Sequence, residues 1–133
     1  VKNPLWQQLW YVASNGALKP KPMKIENAKA QMRKGILEYC ILSMLENQDA
    51  YASDIISQLK SAELIVVEGT LYPLLTGLKN SGLLKYRWEE SKQGPPRKYY
   101  ALTEQGAEFL HELDQSWHSL IGAVEKIKNP EKQ

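Results

Sequence analysis

The side chains best suited to chemistry are cations concentrated in one stretch of a 133-residue chain. Residues 79 to 98 carry six basic and two acidic side chains, whereas residues 104 to 133 carry six acidic residues and three lysines. A chain that gathers its cations in one segment is typical of proteins that place one face on a polyanion. The alternative is a charged hairpin that is simply solvated, and charge alone does not separate the two.

Enzymatic and metal chemistry find little support in the sequence. His111 and His118 are seven residues apart, too far for the i, i+4 spacing with which a helix binds one metal. Cys40 is the single cysteine, so an internal disulfide and a cysteine-based metal cluster are both excluded. The sequence also lacks a nucleophile–base set and a glycine-rich phosphate loop. We therefore expect no enzyme, no catalytic residue, no metal and no cofactor.

Membrane insertion and export are also not expected. The sequence has no run of eighteen apolar residues, and its first residues, "VKNPLWQQLWYV", lack the apolar core of a signal peptide. Apolar residues make up 43% and charged residues 24%, the composition of a globular protein. We expect a cytoplasmic protein without a membrane partner.

Three helices are predicted ahead of the basic segment, and they must position it. The first runs from about residue 26 to Glu46 and is followed by a turn, "NQDAY". The second is "SDIISQLKSA", with Ser53 as its N-cap. The third is "EGTLYPLLTGLKNSG", which Gly82 should end. Residues 1–22 differ from this pattern, since prolines break them up and "KPKPM" is typical of a linker.

The basic segment itself has the two-residue period of strands. Leu84, Tyr86 and Trp88 alternate with Lys85 and Arg87, which predicts that the three apolar side chains share one face of a strand. A lone hairpin is marginal in water, so the hairpin must lean on the helices. We expect a hairpin of Leu83–Glu89 and Arg97–Leu102, joined by a loop with the sequence "SKQGPP". Three helices followed by a hairpin predict a winged helix-turn-helix domain, mainly α with a small β-hairpin.

A long helix should follow the hairpin, with Thr103 as its N-cap. Its apolar residues recur at steps of three and four, the spacing of a helix that pairs with a second helix. They are Leu110, Leu113, Trp117, Leu120, Val124 and Ile127. An ordinary helix that packs on its own core is the alternative. A helix of about 24 residues is about 36 Å long, more than three short helices can cover, so we expect a dimerisation helix and a homodimer.

The third helix would be the recognition helix of such a domain, with its N-terminal residues nearest the DNA bases. Pro73 costs least within the first helical turn, and it fixes the angle at which Thr70, Tyr72 and Thr76 are presented. A helix that starts at Thr70 would accommodate Pro73, whereas a start at Glu68 should tighten or bend the helix. Gly69 would let the backbone approach a phosphate. A glycine and a proline that merely shape a turn are the alternative.

Two motifs resemble the PadR family of bacterial transcriptional regulators. They are "GTLYPLLTGLKNSGLL" and "GPPRKYYALTEQG", and the resemblance covers about residues 29 to 128. It implies a homodimeric winged-helix repressor whose last helix forms the dimer. It also implies DNA contacts from Thr70 and Tyr72 of the recognition helix and from Arg97 and Lys98 of the wing. Members of this family often have Tyr-Gly before the second helix, where this chain has Tyr51-Ala52.

The candidate sites follow from these interpretations. Double-stranded DNA should contact Gly69, Thr70, Tyr72, Thr76, Lys79, Lys92, Arg97 and Lys98. The six apolar residues of the last helix should form the dimer interface. Because some members of the PadR family respond to flat aromatic compounds, the resemblance implies that Trp117, at the middle of this interface, could bind a planar aromatic effector. A Trp117 that is only a packed residue of the dimer is the alternative. The expected parts are an extension or linker (1–22), a DNA-binding domain (23–103), a dimerisation helix (104–128) and a tail (129–133). A winged-helix module that binds proteins without specific DNA binding is the alternative function.

Overall fold

The structure is a computed structural model that describes residues 4–14 and 22–132, in two compact units of residues 1–33 and 34–133. The first unit contains helix α1, Leu5–Ser14, and the start of helix α2, Ile25–Asn47. Leu5, Trp6 and Leu9 of α1 are exposed. The "KPKPM" segment, interpreted as a linker, lies largely outside the described residues. The helix predicted from about residue 26 is confirmed as α2.

The second unit is built around a core that its helices and a small sheet share. After α2 come helix α3, Ala52–Ser61, helix α4, Glu68–Asn80, and helix α5, Glu104–Lys128, followed by a short 3-10 helix, Pro130–Lys132. Each of these α-helices contributes apolar side chains to the core, which removes their surface from water. The fully buried large side chains are Ile41, Leu42, Ile55, Leu59, Leu71, Leu75 and Leu110.

The sheet has three antiparallel strands in the order β1-β3-β2. Strand β1, Ala50–Tyr51, lies within the segment that was predicted to be only a turn, and it pairs with Tyr99 and Tyr100 of β3. Two residues are too few to give a period-two signal, so this strand is visible only through its partner. Strand β1 therefore pairs with part of the outer edge of β3 and leaves the rest of that edge unpaired in the sheet.

The two strands of the wing are longer than predicted. They span Leu84–Ser91 (β2) and Gly94–Leu102 (β3), so that only Lys92 and Gln93 turn between them, and the prediction of a "SKQGPP" loop is wrong. The pairing is irregular between Glu89 and Ser91, opposite Pro95 and Pro96. Proline has no backbone N–H and cannot donate a hydrogen bond to a neighbouring strand. At a β-bulge the regular hydrogen bonds between the strands are interrupted, so prolines are tolerated there.

Helix α3 begins before its predicted cap. Its N-cap is Tyr51 and not Ser53, because β1 runs directly into the helix. The Asp54 carboxylate accepts a hydrogen bond from the Tyr51 N–H at 3.0 Å. This N–H lies at the start of the helix and has no acceptor within the helix, so the side chain satisfies it. At the other end of α3, Glu63 has a φ of 64°, a conformation that favours glycine.

The end of α4 is confirmed at Gly82, which has a φ of 80°. The Gly82 N–H donates to the Lys79 carbonyl and the Leu83 N–H to the Leu78 carbonyl, both at 3.0 Å. This pair of bonds closes a helix through a left-handed residue. The helix starts at Glu68, so Pro73 is its sixth residue and leaves the Gly69 carbonyl without its helical donor. The helix remains continuous to Asn80.

Helix α5 is attached to the end of α4 through its cap. The Thr103 hydroxyl accepts from the Gly106 N–H at 2.9 Å and donates to the Gly82 carbonyl at 2.6 Å, which confirms Thr103 as the N-cap. The Thr103 N–H also donates to the Leu83 carbonyl at 3.1 Å. One threonine therefore starts α5 and holds it on the turn that ends α4.

Candidate nucleic-acid interface

Helix α4 separates its residues cleanly between core and solvent. Leu71, Leu75 and Leu78 are buried, and they anchor the helix on the core. Thr70, Tyr72 and Thr76 are exposed, with Tyr72 47% accessible. A Cβ atom added at Gly69 would meet nothing within 4 Å, so the fold itself does not require a glycine there. The exposed side of α4 is therefore accessible to a large binding partner.

The wing holds its cations against aromatic rings on both faces of the sheet. On the face that includes buried Tyr100, the Lys98 ammonium lies 4.5 Å from the ring centroid of Tyr86 and 5.6 Å from that of Trp88. Lys79, from the last turn of α4, approaches the same Tyr86 ring at 5.8 Å. Such contacts attract a cation to the ring face and reduce its freedom.

The opposite face of the sheet carries a second stack. The Arg97 guanidinium lies 4.0 Å from the ring centroid of Tyr51, and Arg87 lies 4.5 Å from that of Tyr99. The two tyrosine rings are themselves 4.6 Å apart, because β1 pairs Tyr51 with Tyr99. Arg97, Tyr51, Tyr99 and Arg87 therefore form one continuous row.

The two arginines of that row differ in their partners. Arg87 bonds to Glu89 at 2.8 Å and to Asp49 at 3.3 Å, and these hydrogen bonds, Glu89 first, raise the pKa of Arg87. Within residues 4–14 and 22–132, no carboxylate lies within ion-pair distance of Arg97. Arg87 thus ties the wing to the loop before β1, whereas the charge of Arg97 is not paired by any of the described carboxylates. The same holds in those ranges for Lys79, Lys92 and Lys98.

A pocket of about 330 Å³ lies between α4 and the wing. Tyr72, Arg97 and Lys98 all line it, so the structure brings together three of the eight residues expected to contact DNA. Lys92 lies on the exposed turn between the strands. Tyr51, Ser53 and Trp88 also line the pocket, and the sequence reasoning did not assign them to the site.

Trp88 is the clearest of these missed residues. It shares the predicted face of the strand with Tyr86, and their ring centroids are 6.0 Å apart, but Trp88 itself is 61% exposed. Trp88 lies further along β2 than Tyr86, towards the wing tip and beyond the reach of the core. Lys98 pairs with Trp88 across the hairpin, and this basic partner was the sequence feature that could have indicated an exposed position for Trp88.

The predicted dimer seam divides into two parts along α5. Leu110 is buried in the core of its own chain at 1% exposure, and Leu113 packs partly against that core. Further along, Leu120, Val124 and Ile127 are 59%, 53% and 80% exposed. The first part of the stripe therefore anchors α5, whereas the apolar side chains of the second part are exposed and are not covered by the other described residues.

Trp117 lies between these two parts and contacts Tyr39 of α2. Their ring centroids are 6.0 Å apart, and Trp117 is half-buried. The Tyr39 hydroxyl donates to the Asp114 carboxylate, a contact that raises the pKa of Tyr39 to about 12. Tyr39 thus holds α5 at two positions one turn apart.

Other kinds of site find no support among the residues that the structure describes. No group of three or more histidine, cysteine or acidic side chains there could hold a metal ion. Cys40 is half-buried, and that burial raises the pKa of its thiol. The described helices include none that is long and apolar enough to cross a membrane.

Comparisons with known proteins agree with this arrangement. Residues 41–112 match the model of the transcriptional regulator PadR-like family. A PadR-like transcription factor from Bacteroides fragilis is 64% identical, with 76% of this chain and 98% of that chain covered and a TM-score of 0.67. A PadR family transcriptional regulator from Eggerthella lenta is 32% identical, covering 77% and 90%, with a TM-score of 0.71.

A third solved structure extends the similarity to another organism. A PadR-like transcriptional regulator from Bacillus cereus is 36% identical, with 73% of this chain and 95% of that chain covered and a TM-score of 0.65. The family match over residues 41–112 includes α4, the wing and the start of α5. With its winged-helix fold and these relatives, the chain belongs to the PadR-like family of transcriptional regulators.

Proposed function

We propose that this protein is a sequence-specific DNA-binding regulator that acts as a homodimeric repressor. The observation that carries the proposal is the surface made by the exposed side of α4 and the adjacent wing. Thr70, Tyr72 and Thr76 are exposed on the helix, and Arg97 and Lys98 line a pocket with Tyr72. Neither cation has a carboxylate partner in the described residues. A regulator of this kind works in the compartment that holds the DNA, which in a bacterium is the cytoplasm.

The two parts of this surface would have different tasks. Helix α4 would enter the major groove, where base pairs present distinct donor and acceptor patterns to Thr70, Tyr72 and Thr76. Gly69 has room around its Cα for a phosphate to approach. Lys79, Lys92, Arg97 and Lys98 would contact the phosphate backbone, which positions a protein without reading sequence.

Dimerisation through α5 would supply the second half of the recognition surface. The exposed apolar side chains Leu120, Val124 and Ile127, together with the neighbouring Ile121, would be covered by the same residues of a second copy. Residues 23–103 would then act as the DNA-binding domain and 104–128 as the dimerisation helix. A two-fold dimer should bind half-sites about 34–36 Å apart, or a multiple of that distance. Repression would follow if such a site overlaps a promoter.

Trp117 is the proposed site for a planar aromatic effector. The Tyr39 ring lies 6.0 Å from the indole of Trp117 on one side. Trp117 would lie near the proposed two-fold axis, because it is at the middle of the apolar stripe of α5. A flat aromatic molecule could stack in an offset manner on the indole surface that remains accessible. Because Trp117 also contacts α2, a guest there could shift α5 relative to the recognition helix and release the DNA.

Binding to duplex DNA at two salt concentrations tests this proposal directly. We expect the wild-type chain to bind mixed-sequence duplex with an affinity that falls steeply as salt rises, and to bind a site near its own gene more tightly. Footprinting on the DNA around that gene would locate the site. Duplex binding that is absent at low salt would contradict the proposal and favour a winged-helix module that binds proteins.

A further inference from the structure

The pocket beside α4 lies at an edge of the sheet that β1 leaves open. Strand β1 covers β3 only at Tyr99 and Tyr100, so Arg97 and Lys98 lie just past its end. The start of α3 contributes Ser53 to the pocket wall, and α4 contributes Tyr72. Elements distant in sequence therefore meet around one opening of about 330 Å³.

The chemistry of the lining suits an anion attached to an apolar group. No acidic residue is among the side chains that line the pocket, whereas Arg97 and Lys98 supply two cations. Ser53 and Tyr72 carry hydroxyl groups that can donate hydrogen bonds. The rings of Trp88 and Tyr100 add apolar surface. A phosphodiester flanked by deoxyribose combines an anion and apolar carbon in this way.

The contact between Tyr51 and Arg97 prepares one of these cations for binding. The guanidinium carbon lies over the ring, 4.0 Å from its centroid, and the Tyr99 ring lies 4.6 Å from that of Tyr51. An arginine that stacks by its flat face keeps its edge N–H groups available for bidentate contact with phosphate. A side chain that is already ordered loses less conformational freedom on binding.

We propose that this pocket seats one phosphate of the DNA backbone and that Tyr51 is a positioning residue that holds Arg97 at its rim. The proposal rests on the DNA-binding function proposed above and adds Tyr51, Ser53 and Trp88 to the interface. The bound phosphate would lie between the wing and the start of α3, next to the helix that reads the bases.

A double-mutant cycle between Tyr51 and Arg97 tests the positioning role on the full chain, with a mixed-sequence duplex as the probe. Tyr51→Leu keeps every charge but removes the ring, and we expect the Kd to rise about two- to fivefold. Tyr51→Phe should restore wild-type binding, because the ring and not the hydroxyl supports the guanidinium. In the Arg97→Ala background, Tyr51→Leu should have no further effect. Equal losses in both backgrounds would overturn the assignment of Tyr51.

A second arm tests the pocket itself and does not depend on the ring. Ser53→Asp adds a negative charge to the pocket wall but suits the first turn of α3, so the variant should fold. We expect it to weaken duplex binding more than Ser57→Asp, a matched change one turn further along that is also exposed and does not line the pocket. Equal effects of the two variants would overturn the phosphate seat.

The remaining controls separate the possible failures. Arg97→Lys preserves charge without the planar stack and should lose affinity like Tyr51→Leu, so it serves if the leucine variant does not fold. Wild-type binding by Arg97→Lys would then overturn the role of the stack. If the wild-type chain binds no duplex at any salt concentration, the proposed function fails first. If it binds and the cycle is additive, only this inference fails.

Discussion

A Cβ atom at Gly106 would lie 2.1 Å from the carbonyl oxygen of Leu83. The same Cβ would lie 2.8 Å from the Cδ1 atom of Leu102, so both neighbours exclude a side chain. Gly106 is buried in the first turn of α5, directly above the turn that ends α4. The glycine of the "LTEQG" motif is therefore required by close packing between two elements, and not by an unusual backbone angle.

Gly106→Ala should accordingly destabilise the fold severely. The carbonyl belongs to the backbone and cannot rotate away, so α5 would have to move; we expect a decrease of about 3 kcal/mol or more in the free energy of unfolding. Chemical denaturation measures this decrease. Gly77→Ala is the matched control, since a Cβ there meets nothing within 4 Å and alanine favours a helix by about 0.5–1 kcal/mol. Equal stability of the two variants would contradict this account.

Changing Arg97 and Lys98 to alanine should weaken binding to all duplexes alike. Cations that neutralise phosphates release counterions, so the log–log slope of affinity against salt should flatten by about 0.9 for each phosphate that a subunit no longer neutralises. The measurement is a salt titration of duplex binding by fluorescence anisotropy. Lys60→Ala, a change of an exposed cation at the opposite end of α3 from the pocket, should leave the slope close to that of the wild type. An unchanged slope in the double variant would refute the assignment.

Tyr72→Ala should reduce specific binding more than non-specific binding. Removal of a base contact costs about 1–3 kcal/mol per site and relaxes sequence preference there. The test compares Kd values for the mapped operator and for a scrambled duplex. Because Tyr72 is only 47% exposed, thermal unfolding of the variant must first show an intact fold. A folded variant that keeps the full specificity ratio would mean that Tyr72 does not read bases.

Leu120→Asp combined with Val124→Asp should produce monomers that lose operator binding. Both side chains are more than half exposed within one chain, so two carboxylates there disturb the proposed interface and not the core. Leu113 is a poor choice for the same experiment because it packs against the core of its own chain. Gln115→Asp with Ser119→Asp places the same charges on the opposite side of α5 and should remain dimeric. Sedimentation velocity distinguishes the two; a seam variant that stays dimeric would refute dimerisation through this stripe.

A planar aromatic compound should quench fluorescence from Trp117 if that residue is the effector site. Quenching should disappear in Trp117→Phe, which separates its signal from those of Trp6, Trp10 and Trp88. The half-buried indole beside Tyr39 should respond more strongly than exposed Trp88. Quenching that persists in Trp117→Phe would remove this residue from the site while leaving the dimer proposal intact.

Several features of the fold could be read from the sequence because they depend on neighbours along the chain. Gly82 ends α4 since a left-handed residue is needed there, and Thr103 caps α5 since its hydroxyl accepts a hydrogen bond from the N–H three residues on. The period-two alternation from Leu84 onward indicates a strand for the same local reason. The motifs that contain these residues were sufficient to indicate the family.

Other features were decided only when distant parts of the chain met. Strand β1 exists because Tyr99 and Tyr100 offer it a partner, and Tyr51 supports Arg97 only as a consequence of that pairing. Trp88 is exposed because the wing extends past the core. Alternation along a strand predicts which side chains share a face, but it does not predict how far the core extends along that face. The apolar spacing of α5 is uniform from Leu110 to Ile127, yet its first part packs on the chain's own core and its last part does not. Periodicity shows which side of a helix is apolar, and the tertiary structure decides what covers it.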